Sequence, residues 1–290
     1  MNVLLNATTL VKGGAMQVAV AFVKQALQCD SEISWHYALS AELASELEAA
    51  DLLITGSLLD VFTTSPARSI NARRKLFELE CNGEYDAVLT MFGPAYVKFK
   101  GLHICGVADG WVTHANLLAF GSRGSSVDVT RTLLHIAYKA LWYRKAAAWV
   151  VEAENARQGL IKRLRIKPEL IYVVPNTCGE GYRKSRVRMR MPEKGEKVRI
   201  LCLSAHYKHK NLEISPEVAR HIRDMSGELD FEFVITLPKD SEGDKKLMGQ
   251  AAELGVAGYI SNIGPVKVSQ GPELYQSCHI AFLPSLLETF

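Results

Sequence analysis

Short runs of apolar and β-branched residues alternate with longer segments of helical periodicity along this chain. The first part predicts strands at NVLLNA, ISWHYAL, LLIT, DAVLTMF, HICGVAD, AAAWVV and LIYVVP, and helices over 15–27, 69–79, 127–144 and 153–164. After Gly195 the rhythm restarts, and KVRILCLS, FEFVIT, AGYIS and IAFLP predict four more strands with helices between them. Strands that alternate with helices favour right-handed βαβ units and parallel sheets.

The two series predict two doubly wound domains, at 1–175 and 198–290. The stretch between them, 176–197, has three glycines, one proline and no apolar period, so it is interpreted as a basic interdomain linker. Its cations could contact acidic lipid or a phosphate, although a solvated linker is favoured; they are Arg183, Lys184, Arg186, Arg188 and Arg190. The second domain holds roughly 90 residues, fewer than the usual 100–200, and we expect it to be incomplete.

Composition excludes several classes of protein. The net charge of +3 over 290 residues lacks the basic excess of a nucleic-acid-binding protein. Six cysteines are scattered singly, without metal-ligand spacing, which suits structural thiols in a reducing compartment. No apolar run reaches transmembrane length, and the N-terminus lacks the features of a signal peptide. We therefore expect a cytoplasmic protein.

Lys12-Gly13-Gly14 lies between the first predicted strand and the first helix. Two glycines let the backbone approach a ligand, and a helix N-terminus offers N–H groups and partial positive charge to an anion. The run is not a G-x-G-x-x-G fingerprint, so it supports dinucleotide binding only weakly, and a plain flexible turn is an equal alternative.

A second candidate is the loop LCLSAHYKHKNLEI, where a strand should end at Ser204. His206, Lys208 and Lys210 follow, and a helix is predicted to begin near Asn211, with Ser215-Pro216 as a competing start. Cations at the end of a strand and beside a helix N-terminus suit a diphosphate, whose charge grows as its bond to a sugar breaks. A solvated basic turn is the alternative. Because the sequence has no D-x-D triplet, a carboxylate-held metal site is not predicted.

Two acids follow predicted strands. Asp109 comes after HICGV, where it could accept a proton or hold a hydroxyl group, although capping of a loop is the commoner use of Asp-Gly. Glu288 comes shortly after 279–284, which is predicted to be a buried strand. In open α/β sheets, ligands bind at this end of the strands.

Several segments together resemble one family. These are WVVEAENARQGLIKRLRI, IYVVPNT, Lys210-Asn211, the run YISNIGPVKVSQGPELY with Gly264 before its helix, and PSLLETF. In this order they resemble the donor-binding half of retaining, nucleotide-sugar-dependent glycosyltransferases of the GT-B fold. The resemblance covers roughly 148–290, and more loosely the Gly13-Gly14 turn.

The resemblance implies two Rossmann-type domains facing a cleft, and transfer of a sugar from a nucleoside-diphosphate sugar to a saccharide or lipid-linked acceptor, as in polysaccharide biosynthesis. Lys210 would neutralise the leaving diphosphate, Glu288 would orient the donor sugar, and Gly13-Gly14 would let substrates approach. The nucleotide sugar would be a substrate, with no permanently bound cofactor and no metal.

This sequence departs from the family pattern at three places. The family's arginine five residues before the lysine is Ala205 here, so His206 or Lys208 would have to replace it. Asp109 is the nearest counterpart of a first-domain histidine. The second Glu of a Glu-x7-Glu motif would fall at position 296, so we expect a C-terminally truncated chain.

Two other functions stay open: an inactive binding module or scaffold derived from this fold, and a nucleotide-sugar epimerase. The predicted helix 127–144 mixes cations with leucines, so it could also lie peripherally on the inner face of an anionic membrane. Core packing with a solvated outer face is the favoured alternative.

Overall fold

The computed structural model describes residues 1–29, 32–176, 182, 192–193 and 195–289. The chain divides into two compact units. Unit 1 consists of Met1–Ala115, Ser125–Asn176 and Glu288–Phe290, and unit 2 consists of Asn116–Gly124 and Thr177–Leu287. The basic cluster predicted at 183–190 lies outside the described residues.

Unit 1 is built on a seven-stranded sheet in which every pair of neighbours is parallel. The strand order is β3-β2-β1-β4-β5-β6-β7. The strands are β1 Asn2–Ala7, β2 Ser34–Ser40, β3 Leu59–Phe62, β4 Ala87–Thr90, β5 Leu102–Val107, β6 Ala148–Val151 and β7 Ile171–Val173. The predicted parallel α/β architecture is confirmed.

Helices follow most of these strands. In chain order they are α1 Gly14–Gln28, α2 Ala41–Ala49, α3 Ile70–Asn82, α4 Gly110–His114, α5 Leu117–Gly121, α6 Ser126–Tyr143 and α7 Glu154–Gly159, which continues as a π-turn over Leu160–Leu164. Of these helices, α5 belongs to unit 2. The strand predicted at LLIT is wrong. Leu52 and Ile54 pack partly into the core from a loop, while Leu53 between them is 81% exposed.

The two faces of the unit 1 sheet carry separate cores. Leu5 on β1 packs with α1 and α2, whereas Leu4, one residue away, packs with α3. This alternation follows from the two-residue period of a strand. Helix α6 lies on the same face as α3, since Arg73 of α3 donates a hydrogen bond to the hydroxyl of Tyr138 at 2.8 Å.

Unit 2 has a four-stranded parallel sheet in the order β10-β9-β8-β11. Its strands are β8 Val198–Cys202, β9 Phe231–Ile235, β10 Ile260–Asn262 and β11 Ile280–Ala281. Its longer helices are α8 Ser215–Ser226, α9 Glu242–Glu253 and α10 Gly271–Gln276. Phe231, Phe233 and Ile235 of β9 are fully buried in its core.

Two local predictions in unit 2 are wrong. The helix start predicted near Asn211 is wrong, because this residue has a left-handed conformation with φ of 55° between two 3-10 turns. The competing start is confirmed: α8 begins at Ser215, with Pro216 in its first turn. The strand predicted over 279–284 is neither buried nor that long. Only Ile280 and Ala281 pair with β8, at the edge of the sheet, and both are exposed.

A buried polar chain crosses the middle of unit 1. The hydroxyl of Thr8 donates to Asn6 Oδ1 at 2.7 Å, Asn6 Nδ2 donates to Thr90 Oγ1 at 3.1 Å, and Thr90 Oγ1 lies 2.8 Å from His103 Nε2. His103 is only 3% exposed. Burial lowers the pKa of His103 from 6.5 to about 4, because the interior disfavours the imidazolium ion.

The buried histidine makes unit 1 sensitive to acid. Below about pH 6.5 the unfolded chain binds a proton at His103 that the folded chain resists until about pH 4. We predict that protonation of His103 in the unfolded chain lowers the unfolding free energy by on the order of 3 kcal/mol between neutral pH and pH 4. Denaturant unfolding followed by tryptophan fluorescence measures this in unit 1, because Trp35, Trp111, Trp142 and Trp149 all lie there.

The matched variant is His103→Gln, whose amide retains a hydrogen bond to Thr90 without titrating. Its unfolding free energy should fall less steeply with acid than that of the wild type. Equal pH slopes for the two proteins would contradict the prediction.

Candidate functional site

The predicted site residues lie beyond the carboxyl ends of the parallel strands. In unit 1, Gly13-Gly14 follows β1 and Asp109 follows β5. In unit 2, His206 and Lys210 follow β8, and Gly264 follows β10. Because neighbouring parallel strands end at the same edge, each sheet gathers its own set there.

Gly13 is the N-cap of α1, and its φ of 85° is a conformation that favours glycine. No side chain caps this helix, and a Cβ atom added at Gly13 or Gly14 would meet nothing within 4 Å. Backbone conformation, rather than close packing, therefore requires glycine at position 13. The open space leaves the first turn of a 15-residue helix approachable by an anion.

Asp109 has two structural roles. Its Oδ1 caps α4 by accepting hydrogen bonds from Trp111 N at 3.1 Å and Val112 N at 3.4 Å. Its Oδ2 accepts from Lys139 Nζ of α6 at 2.7 Å, and the two side chains are 12% and 25% exposed. Burial, and then the charge of Asp109, raises the pKa of Tyr96 to about 12. The capping alternative is observed, and a catalytic role for Asp109 stays a prediction.

Backbone hydrogen bonds fix the conformation of the loop after β8. Lys208–Lys210 forms a 3-10 turn in which Lys210 N donates to Tyr207 O at 2.8 Å. Leu286 N donates to His209 O at 2.7 Å, which joins the PSLLE run to the residue before Lys210. The sequence places these two segments far apart, and the fold brings them into contact in unit 2.

His206 packs on the first turn of α9. Its Nε2 lies 3.4 Å from Glu213 Oε1, and a Cβ atom added at Gly243 would lie 2.6 Å from the imidazole ring. Sequence reasoning missed Gly243, because a glycine in the first turn of a helix does not by itself indicate which side chain packs on it. His206 therefore covers a helix N-terminus instead of pointing away into solvent.

Gly264 belongs to a second loop at the same edge of unit 2. Asn262 Oδ1 accepts hydrogen bonds from the backbone N–H groups of Leu237 and Gly264, both at 3.1 Å, and its Nδ2 donates to Asp244 at 2.8 Å. Gly264 has φ of 84°, and the position of its absent Cβ lies 3.9 Å from the Lys239 side chain. The Asn262–Asp244 pair, which the sequence did not suggest, fixes this glycine beside a cation.

Glu288 is half-buried and clusters with unit 1, whereas Lys210 belongs to unit 2. Next to Glu288, Thr289 donates its hydroxyl proton to Glu152 Oε2 at 3.0 Å, and the other oxygen of Glu152 accepts from Asn176 Nδ2. One carboxylate at the end of β6 thus holds two distant segments of the chain. No local pattern in the sequence indicates this role for Glu152.

Within the described ranges, no group of three or more His, Cys, Asp or Glu residues is arranged to hold a metal ion. No helix in this part of the chain is long and apolar enough to cross a membrane.

Solved structures resemble this chain over almost its whole length. A glycosyltransferase from Rickettsia africae superposes with a TM-score of 0.65 at 14% identity, over 98% of this chain and 73% of that one. TarM from S. aureus, in complex with fondaparinux, alpha-GlcNAc-glycerol and UDP, gives 0.62 at 8% identity, over 100% and 81%. This chain has a GT-B fold.

UDP-GlcNAc 2-epimerases share the same architecture. The enzyme from Neisseria meningitidis bound to UDP-GlcNAc has a TM-score of 0.57 at 16% identity, over 97% of this chain and 77% of that one. No protein-family model and no curated protein matches the sequence. At these identities the GT-B likeness is one of fold.

The Asp109–Lys139 ion pair can be tested by a double-mutant cycle. Asp109→Asn retains an oxygen that can cap α4 but leaves the Lys139 charge without its partner. We predict a loss of about 3 kcal/mol of unfolding free energy in unit 1. Adding Lys139→Met should recover much of that loss, because an apolar chain of similar length replaces the stranded charge. Tryptophan fluorescence during denaturant unfolding measures the unfolding free energy of the wild type, both single variants and the double variant. If the losses of the two single variants added up to the loss of the double variant, the pairing would be contradicted.

Proposed function

We propose that this protein is a retaining glycosyltransferase that moves a sugar from a nucleoside-diphosphate sugar to a saccharide or lipid-linked acceptor. The donor is a substrate, and the proposal involves no permanently bound cofactor, no metal and no nucleic acid. Its cysteines suit a cytoplasmic reaction, because those in the described chain are free thiols, several of them buried.

One observation carries the proposal: the hydrogen bond between Leu286 and His209 joins the lysine loop to the PSLLE run. These are two of the segments on which the resemblance to nucleotide-sugar glycosyltransferases rests. An ammonium group held on a short turn beyond a strand can offset the charge that develops on a leaving diphosphate. The GT-B fold adds support that does not depend on any single residue.

The remaining cations and glycines of unit 2 fit the same ligand. Lys239 beside Gly264 adds positive charge at this edge of the sheet, and His206 places an imidazole ring over the first turn of α9. We infer that Lys210 neutralises the diphosphate, that His206 takes the place of the absent arginine at Ala205, and that Gly264 lets the backbone approach the donor.

Glu288, Asp109 and the Gly13-Gly14 turn complete the proposal. Glu288 would orient the donor sugar, and the glycine turn would admit substrates. Asp109 already caps α4 and pairs with Lys139, so a catalytic role must be separated from stability. The stabilised Asp109→Asn, Lys139→Met protein does this: loss of transfer with normal folding would support catalysis by Asp109.

A nucleotide-sugar epimerase is the second candidate, favoured by the likeness to UDP-GlcNAc 2-epimerases. The two functions differ in whether an acceptor is needed. Incubation with UDP-GlcNAc alone should leave the sugar unchanged if the protein is a transferase, and NMR of the sugar would reveal its epimer otherwise. An inactive binding module would bind UDP, but it would neither epimerise UDP-GlcNAc nor transfer its sugar when an acceptor is supplied.

We predict that Lys210→Ala lowers transfer by on the order of 100-fold, because the leaving diphosphate loses its fixed counter-charge. Affinity for UDP, measured by calorimetry, should fall at least about tenfold. Lys210→Arg should retain part of both, since it keeps the charge.

The matched control is Lys197→Ala, which removes a cation immediately before β8, at the opposite end of the strand from the loop. Its UDP affinity should equal that of the wild type. Equal affinity of the Lys210→Ala protein would refute the role proposed for Lys210.

Glu288→Gln tests the other half of the proposal. We expect transfer to fall by on the order of 100-fold while UDP binding changes little, because the residue is proposed to act on the sugar and not on the nucleotide. Product NMR with an α-linked donor reports the stereochemistry. A β-linked product would overturn the retaining mechanism while leaving glycosyl transfer intact.

A further inference from the structure

Helix α6 has apolar residues on its outer face as well as its inner face. Ile136 and Ala140 pack against the buried cluster of β5 and β6, as expected for a helix that covers a sheet. Val127, Leu134 and Leu141 lie on the opposite face, seven residues apart, and are 65%, 68% and 58% exposed. Core packing with a solvated polar outer face, favoured from the sequence, therefore describes only half of this helix.

The exposed residues form one continuous stripe. A spacing of seven residues is close to two helical turns, so the three side chains stand nearly in line along the axis. Thr130, Ala137 and Tyr138 lie between them on the same side, and all three are exposed. A shallow open depression of about 380 Å³ adjoins the first half of this stripe, lined by Ser126, Val127, Thr130, Arg131 and Leu134.

The charges beside the stripe are mainly positive. Arg131 is 79% exposed and lies 3.8 Å from Asp128, the sole acid between Ser126 and Lys145. Arg144 and Lys145 follow at the exposed C-terminal end of the helix, where Arg144 Nε also donates a hydrogen bond to Leu164 O at 3.2 Å. Lys139 faces Asp109 and belongs to the interior pair. The outer face thus combines leucines with an excess of cations.

Together these features fit an anionic lipid surface. We propose that α6 lies in the plane of a membrane that contains acidic lipids, with Val127, Leu134 and Leu141 among the upper acyl chains and Arg131, Arg144 and Lys145 beside the phosphates. Apolar burial and attraction to acidic headgroups both contribute to binding of such a helix, which lies on the bilayer without crossing it.

A second copy of this chain fits the stripe less well. A helix of 18 residues is about 27 Å long and about 10 Å wide, so its outer face offers only roughly 270 Å². A stable protein interface buries about 800 Å² on each partner. Two copies facing each other across this helix would also bring their cations together.

The experiment is co-sedimentation of the full chain with vesicles of phosphatidylcholine containing about one-third phosphatidylglycerol. We expect binding at low salt that weakens as salt is raised, and little binding to pure phosphatidylcholine. The Leu134→Ser, Leu141→Ser double variant should lower the partition coefficient at least about tenfold. Arg131→Glu should lower it and reduce its dependence on salt.

The matched control is Leu27→Ser with Lys24→Glu on α1, which packs against the opposite face of the sheet and also combines leucine with lysine. Tryptophan fluorescence verifies that every variant is folded. Failure of the wild type to bind anionic vesicles at low salt would overturn the proposal, as would equal loss of binding in the control. So would a dimer in sedimentation velocity that Leu134→Ser converts to monomers.

Discussion

Parallel pairing is the constraint on which this structure depends. Every strand of both sheets hydrogen-bonds to its neighbours in the same direction. Each crossover must then carry the chain back along the sheet, usually through a helix, before the next strand can begin. As a result, the loops that follow the strands collect at one edge, and helix N-termini collect beside them.

In the function proposed above, an anionic donor would bind at this edge of the unit 2 sheet although the chain has little net charge. A net charge of +3 over 290 residues produces no strong general field. The side chains proposed to bind the donor are positioned by local structure: Lys210 lies in a 3-10 turn, His206 packs on Gly243, and Lys239 lies beside Gly264. The proposed donor binding therefore depends on where these side chains are placed and not on the overall charge of the chain.

The sequence predicted the architecture better than the details of its loops. Ten of the eleven predicted strands correspond to strands of the sheets, because parallel strands buried on both faces are nearly continuous apolar runs. The strand predicted at LLIT is wrong because a loop that packs two apolar residues against the core can have the same composition as a short strand. The predicted burial of IAFLP was wrong, because the sequence pattern of this short apolar strand does not distinguish an edge strand from a central one.

Side-chain partnerships were harder to predict than elements. Neither the role of Glu152 nor the Asn262–Asp244 pair leaves a local pattern, since each depends on contacts between segments far apart in the chain. Asp109 illustrates the same limit. Its position beyond a strand was correctly predicted, but its ion pair with Lys139 depends on how α6 packs, and spacing alone does not reveal that.

Glu152 has a topological consequence. Asn176 and Thr289 donate to the two oxygens of this one carboxylate, so the long intervening stretch departs from unit 1 and returns to it at a shared anchor. Residues 177–287 of unit 2 thus lie between two residues of unit 1, Asn176 and Thr289, that are both hydrogen-bonded to Glu152. Because the entropy cost of closing a loop grows only with the logarithm of its length, bringing the two ends of so long a stretch together at Glu152 costs little more than closing a much shorter loop.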